Sequence, residues 1–168
     1  PRAAHAAPAV GTVIGNQATA NYTDSAGTAR TTTSNLVQTT ITQVKSFTLA
    51  APGAITAAGG QTVYYPHTIT NTGNGVDTYT FNAVATGGAF THSGPGPGPV
   101  YYVDADGNGV PDNFTALAST GPIAAGGTFR FVLAGAVPGA AAGVGTMTAS
   151  VSDTSGGPAL TNLDTTTV

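Results

Sequence analysis

The sequence predicts an all-β chain in which a long N-terminal β-hairpin precedes an antiparallel β-sandwich. Three observations predict it. Charged residues make up 7% of the 168 residues, and every acid is Asp, with no Glu in the chain. Solvent-facing helix positions are usually filled by Glu, Lys, Arg and Gln, whereas this chain is rich in the Thr, Ser, Asn and Gly that suit strands and turns. Short runs of alternating apolar residues recur about every ten residues between Gly-, Pro-, Asn- and Asp-rich turns, the spacing of a sandwich rather than of a parallel sheet.

The first nine residues form an Ala/Pro-rich tail, a candidate donor segment for a neighbouring subunit. Its opening, Pro1-Arg2-Ala3-Ala4-His5-Ala6-Ala7, lacks an initiator Met and has the look of a chain freed from a signal peptide, so export is expected. From Thr12 to Tyr22, Ala18, Ala20 and Tyr22 alternate with Gln17, Thr19 and Asn21, as in a strand. Thr23-Asp24-Ser25-Ala26-Gly27 has turn chemistry, and the Thr-rich run through Leu36, Val37, Ile41 and Val44 returns. Residues 10–44 therefore read as one long hairpin.

Residues 45–168 read as the sandwich. Phe47 and Leu49 open it, and the Ala57-Ala58-Gly59-Gly60 turn leads into Val63, Tyr65, His67 and Ile69 on one face. After the tight turn Asn71-Thr72-Gly73-Asn74-Gly75 come Tyr79 and Phe81. The Gly-Pro run from Gly94 to Pro99 is a stiff loop, Phe129, Phe131 and Leu133 mark another buried face, and Met147, Ala149 and Val151 complete the core. Ala supplies many of the apolar residues, so few large side chains carry this core.

The two ends echo each other. Ala18-Thr19-Ala20, Asp24, Gly27, Asn35-Leu36 and Thr39-Thr40-Ile41 are answered by Met147-Thr148-Ala149, Asp153, Gly156, Asn162-Leu163 and Thr165-Thr166-Thr167-Val168. One explanation is a tandem array, in which the end of one repeat stands ahead of the next. The other is that the front segment adds to an exposed sheet edge of a neighbouring subunit.

Composition narrows the function classes. A net charge of −3, with Lys45 and three Arg against seven Asp, leaves no basic stripe for nucleic acid. The absence of Cys removes disulfides, zinc-thiolate sites and thiol catalysis. No apolar run approaches the ~20 residues of a membrane helix, and no membrane insertion is expected.

The strongest motif is Asp104-Ala105-Asp106-Gly107-Asn108-Gly109-Val110-Pro111-Asp112. Its alternate oxygen-bearing side chains read as a calcium loop, with Asp104, Asp106, Asn108, the Val110 carbonyl and Asp112 as ligands and Gly109 allowing the turn. It matches the first nine positions of an EF-hand-type loop and departs at the twelfth, where Thr115 replaces the bidentate Glu. The alternative is an ion-free Asp/Asn/Gly surface turn.

Other candidates are weaker. His5, His67 and His92 have no partner at metal spacing, and His67 reads as a partly buried strand residue with a hydrogen-bond partner. There is no G-x-S-x-G elbow, and the Gly-Pro run lacks the Lys and the following helix of a phosphate cradle. No enzyme is expected. The Asn-x-Thr triplets at Asn21 and Asn113 are of a kind that arises by chance in Thr-rich strands.

On Asn71-Thr72-Gly73-Asn74-Gly75-Val76-Asp77-Thr78-Tyr79, the Gly59-Gly60 to Tyr64-Tyr65 approach, and Tyr101 to Asp112, residues 45–168 resemble the DUF11 conserved-repeat family of bacterial Ig-like surface modules. The resemblance implies an Ig-like sandwich on a bacterial envelope or outside the cell, and it implies no reaction. The expectation is a structural subunit of an extracellular filament or surface layer, joined to further copies of itself by strand complementation through its N-terminal segment, with calcium-stiffened contacts. Other envelope proteins are further candidate partners. The competing expectation is a monomeric adhesin or stalk module of a larger cell-surface protein.

Overall fold

A computed structural model describes residues 8–94 and 98–168. Most of the candidate donor tail and the middle of the Gly-Pro loop lie outside the described residues. The chain divides into two compact units after Val44.

The first unit is a ribbon of four short strands, β1 (Val13–Asn16), β2 (Thr19–Thr23), β3 (Ala29–Thr33) and β4 (Val37–Thr40). β2 pairs with β3 and β1 with β4, both antiparallel, so the ribbon is one long hairpin with an interruption. The sequence reading expected unbroken strands. Instead, the Ser34 hydroxyl accepts the Ala18 N–H at 3.0 Å and Gln17 Nε2 donates to the Ser34 carbonyl at 2.9 Å. Of the two backbone bonds a ladder would place between Ala18 and Ser34, one remains, from the Ser34 N–H to the Ala18 carbonyl at 2.8 Å, and side-chain bonds take the place of the other.

The second unit has two sheets. One has the order β10 (Val100–Val103), β12 (Thr128–Ala136), β7 (Thr62–Asn71) and β5 (Phe47–Ala50). The other runs β11 (Ser119–Ile123), β8 (Asp77–Phe81), β13 (Val144–Asp153), β14 (Leu160–Thr167) and β6 (Ala54–Thr56), with β9 (Ala85–Gly88) also on β13. The chain enters through β5 on the first sheet and crosses at once to the second, where β6 lies parallel to β14.

The core lies between the sheets. β7 alternates with Val63, Tyr65, His67, Ile69 and Asn71 buried, and β13 with Gly145, Met147, Ala149 and Val151, the period of strands with one face inward. Phe81 packs its ring 4.9 Å from Tyr101 and 4.8 Å from Phe131, centroid to centroid. Each such side chain taken from water contributes about 1.5–3 kcal/mol. A Cβ on Gly135 would overlap the end of the Met147 side chain, so a larger residue on β12 there requires Met147 to move.

Asn71 ties the β7–β8 turn to the loops around it. Its Nδ2 donates to the carbonyls of Gly75 and Ile123, each at 2.9 Å, and its Oδ1 accepts the Gly73 N–H at 2.9 Å. A buried amide with these bonds holds two loops without a regular ladder.

Candidate cation site and free hairpin

β10 ends at Val103, and the chain leaves the sheet through the loop that carries the acidic motif. Asp104 stays anchored, its N–H donating to the Arg130 carbonyl of β12 at 3.2 Å, while the Asp112 N–H donates back to the Val103 carbonyl at 3.0 Å. The loop is therefore closed at its base. Gly107 and Gly109 have φ of 76° and 82°, a left-handed backbone that lets the chain reverse twice within nine residues.

This closure brings together three of the five expected ligands. Carboxylate oxygens of Asp104, Asp106 and Asp112 lie within 4.8 Å of one another. Asn108 sits beside them, its Nδ2 donating to Asp106 Oδ2 at 2.8 Å and its Oδ1 accepting the Val110 N–H at 2.8 Å. Val110 is the fifth, and its side chain is exposed. Asp112 Oδ2 accepts the Ala105 N–H at 2.5 Å, and Asp104 Oδ2 accepts the Gly109 N–H at 3.1 Å.

Asp104 stands apart from the other two acids. It is 1% exposed, and its Oδ1 has no hydrogen-bond partner among the described residues. The Arg130 side chain lies against Gly107, yet among the described residues the Arg and Lys ion pairs are Arg30–Asp24 and Lys45–Asp77, and His67 hydrogen-bonds Asp164. The loop's three carboxylates have no cationic partner there.

A second polar cluster, which the sequence reading did not assemble, lies between the sheets. His67 is not partly but fully buried, and its Nε2 meets Asp164 Oδ2 at 2.9 Å with both side chains at 0% exposure. Asp164 Oδ1 accepts the Gly53 N–H at 2.7 Å, and the His67 ring stacks on Phe131 at 5.3 Å. One turn of the pleat further along β14, the Thr166 hydroxyl bonds both Tyr65 Oη at 2.5 Å and His92 Nε2 at 2.8 Å. Burial raises the Tyr65 phenol above its ordinary pKa and lowers the His92 imidazole. A histidine beside a carboxylate is the pairing that activates a nucleophile, but this one is sealed from solvent and joins β7 to β14. The signal for it was present in β14, where Asn162, Asp164 and Thr166 alternate on the face opposite Leu163.

In the hairpin unit no strand residue is buried. All residues of its four strands are exposed, including Val13 at 53%, Ile14 at 51% and Val37 at 60%, with Leu36 beside β4 at 52%. The register places Ile14 and Val37 on one face, because each is paired with the other's neighbour-but-one, and Val13 on the other. Leu36 lies over Gly15 on the Val13 face. Both faces of the ribbon thus carry aliphatic side chains.

The turn that closes this ribbon matches the turn between β13 and β14. Asp24 Oδ1 accepts the N–H groups of Ala26 and Thr28, two and four residues on, and Gly27 has φ of 81°. Asp153 Oδ1 accepts those of Ser155 and Gly157, again two and four residues on, and Gly156 has φ of 79°.

Compared with models of known protein families the chain matches none, and no curated protein is significantly similar to it.

Proposed function

We propose that the chain is a structural subunit of an extracellular bacterial filament or surface layer, in which the N-terminal hairpin of one copy docks on the sandwich of the next. The observation that carries this reading is the hairpin itself. A two-stranded ribbon is marginal in water, and this one presents aliphatic side chains on both faces and, among the described residues, no further strand along either edge. Such a ribbon gains stability when another chain covers it.

A receiving edge is at hand on the sandwich. β6 pairs with β14 only at Thr165, Thr166 and Thr167, so β14 from Leu160 to Asp164 has no strand paired to its outer side among the described residues, although Asn162 Nδ2 donates to the Leu49 carbonyl of β5 at 3.3 Å. Leu163, exposed at 54%, stands on this stretch. A strand from another copy would pair there by edge addition. The resemblance to bacterial Ig-like surface modules belongs to the same reading.

The matched Asp24 and Asp153 turns favour a second reading, a module within a tandem array of a larger cell-surface protein. Sedimentation velocity over a rising concentration series separates the two. The subunit reading expects species heavier than 16.3 kDa that disappear in an Ile14→Asp/Val37→Asp variant. A monomer at every concentration supports the array module instead.

A further inference from the structure

We propose that the loop from Asp104 to Asp112 binds one calcium ion through the carboxylates of Asp104, Asp106 and Asp112, the Asn108 amide oxygen and the Val110 carbonyl. The inference goes beyond the assembly reading and rests on different residues.

Two independent observations carry it. The first is the convergence of three carboxylates within 4.8 Å, with no cationic side chain paired to any of them among the described residues. Ionised groups at that separation repel one another unless a cation stands between them. The second is Asp104 Oδ1, an acceptor on a side chain 1% exposed, with no protein donor among the described residues. A buried carboxylate oxygen without a partner bears its full desolvation penalty, and a bound cation removes that penalty.

The chemistry of the donor set selects the ion. All five ligands are hard oxygens, which suit calcium or magnesium rather than zinc or copper. Calcium accepts six to eight oxygens in flexible geometry, so water completes the five protein ligands. Magnesium demands a near-ideal octahedron, which a nine-residue loop with two left-handed glycines does not impose. Thr115 offers no bidentate carboxylate, so the affinity falls in the range of extracellular modules, with Kd of about 0.1–1 mM. The bound ion would fasten the end of β10 to the loop that leaves it.

The test is calcium titration of the full chain by calorimetry, with terbium luminescence sensitised by the neighbouring Tyr101 and Tyr102 as a second readout. Expected are one site per chain, a rise in melting temperature with calcium, and a loss of at least about ten-fold in affinity in Asp106→Asn/Asp112→Asn. Both of those substitutions lie at the loop surface, and the isosteric amides preserve its hydrogen-bonding shape. Asp24→Asn, in the other unit, should bind as the parent does. Absence of saturable binding at 10-fold above that Kd range, binding unchanged in the double variant, or equal binding of magnesium would each overturn the assignment.

Discussion

Asp24 and Asp153 close their hairpins with the same set of bonds, each carboxylate taking backbone N–H groups two and four residues ahead and each followed at the third position by a left-handed glycine. One of these hairpins is built into a sandwich, where the inward side chains of β13 are buried. The other is the exposed ribbon of residues 13–40. The same local chemistry therefore closes one hairpin whose inward side chains are buried and one whose strand residues are all exposed.

The Asp24 turn should open in acid. Its carboxyl is held below the usual 3.8, first by the Thr28 N–H and then by Arg30, whose Nε lies 2.9 Å away. A depressed carboxyl contributes stability above pH 3.8 and loses it as the pH falls through the lowered value. Protection of the Ala26 and Thr28 amides relative to their intrinsic exchange rates should therefore fall below pH 3.8, and Asp24→Ala should show the low protection already at neutral pH. Unchanged protection in that variant would remove the carboxylate from the account of the turn.

The His67–Asp164 bond should behave as a pair rather than as two separate contributions. Replacing His67 with Leu leaves a buried carboxylate with only the Gly53 N–H, and such a loss costs about 3–5 kcal/mol. The His67→Leu/Asp164→Leu variant removes the stranded charge and should recover part of that loss. Urea midpoints of the single and double variants measure it, and a double variant no more stable than His67→Leu would show that the carboxylate is not the source of the cost.

His92 should make the sandwich weaken on mild acidification. Burial lowers its imidazole below 6.5, with the Thr146 backbone opposing the shift in part. The unfolded chain then binds a proton that the folded chain resists, so stability falls as the pH drops through 6.5 and levels off below the lowered folded value. Melting temperatures at pH 7.5 and 5 should differ less in His92→Gln than in the parent. An identical difference in both would assign the acid sensitivity to other groups.

The sandwich strands were legible because their inward positions keep a period of two over long runs, as in Tyr65, His67, Ile69 and in Met147, Ala149, Val151. β6, β9 and β11 were not. They are three to five residues long, carry at most one large apolar residue each, Ile55 in β6 and Ile123 in β11, too few to show a period of two, and owe their place to pairing with β14, β13 and β8. The acidic loop was visible because its oxygen-bearing side chains sit at alternate positions within nine residues. The burial of Asp104 was not, because it comes from β12, which contributes the Arg130 carbonyl from 26 residues away in the chain. Asp164 and His67 are 97 residues apart and meet only once the two sheets have packed. The break in the hairpin at Ala18 was hidden for the opposite reason, since it depends on a single local hydroxyl, that of Ser34.

Negative-stain electron microscopy of the full chain, beside the Ile14→Asp/Val37→Asp variant, tests the central claim most directly. The parent is expected to form ordered filaments or sheets and the variant dispersed particles. Dispersed 16.3 kDa particles of the parent at every concentration, or ordered polymers of the variant, would contradict a docking role for the hairpin.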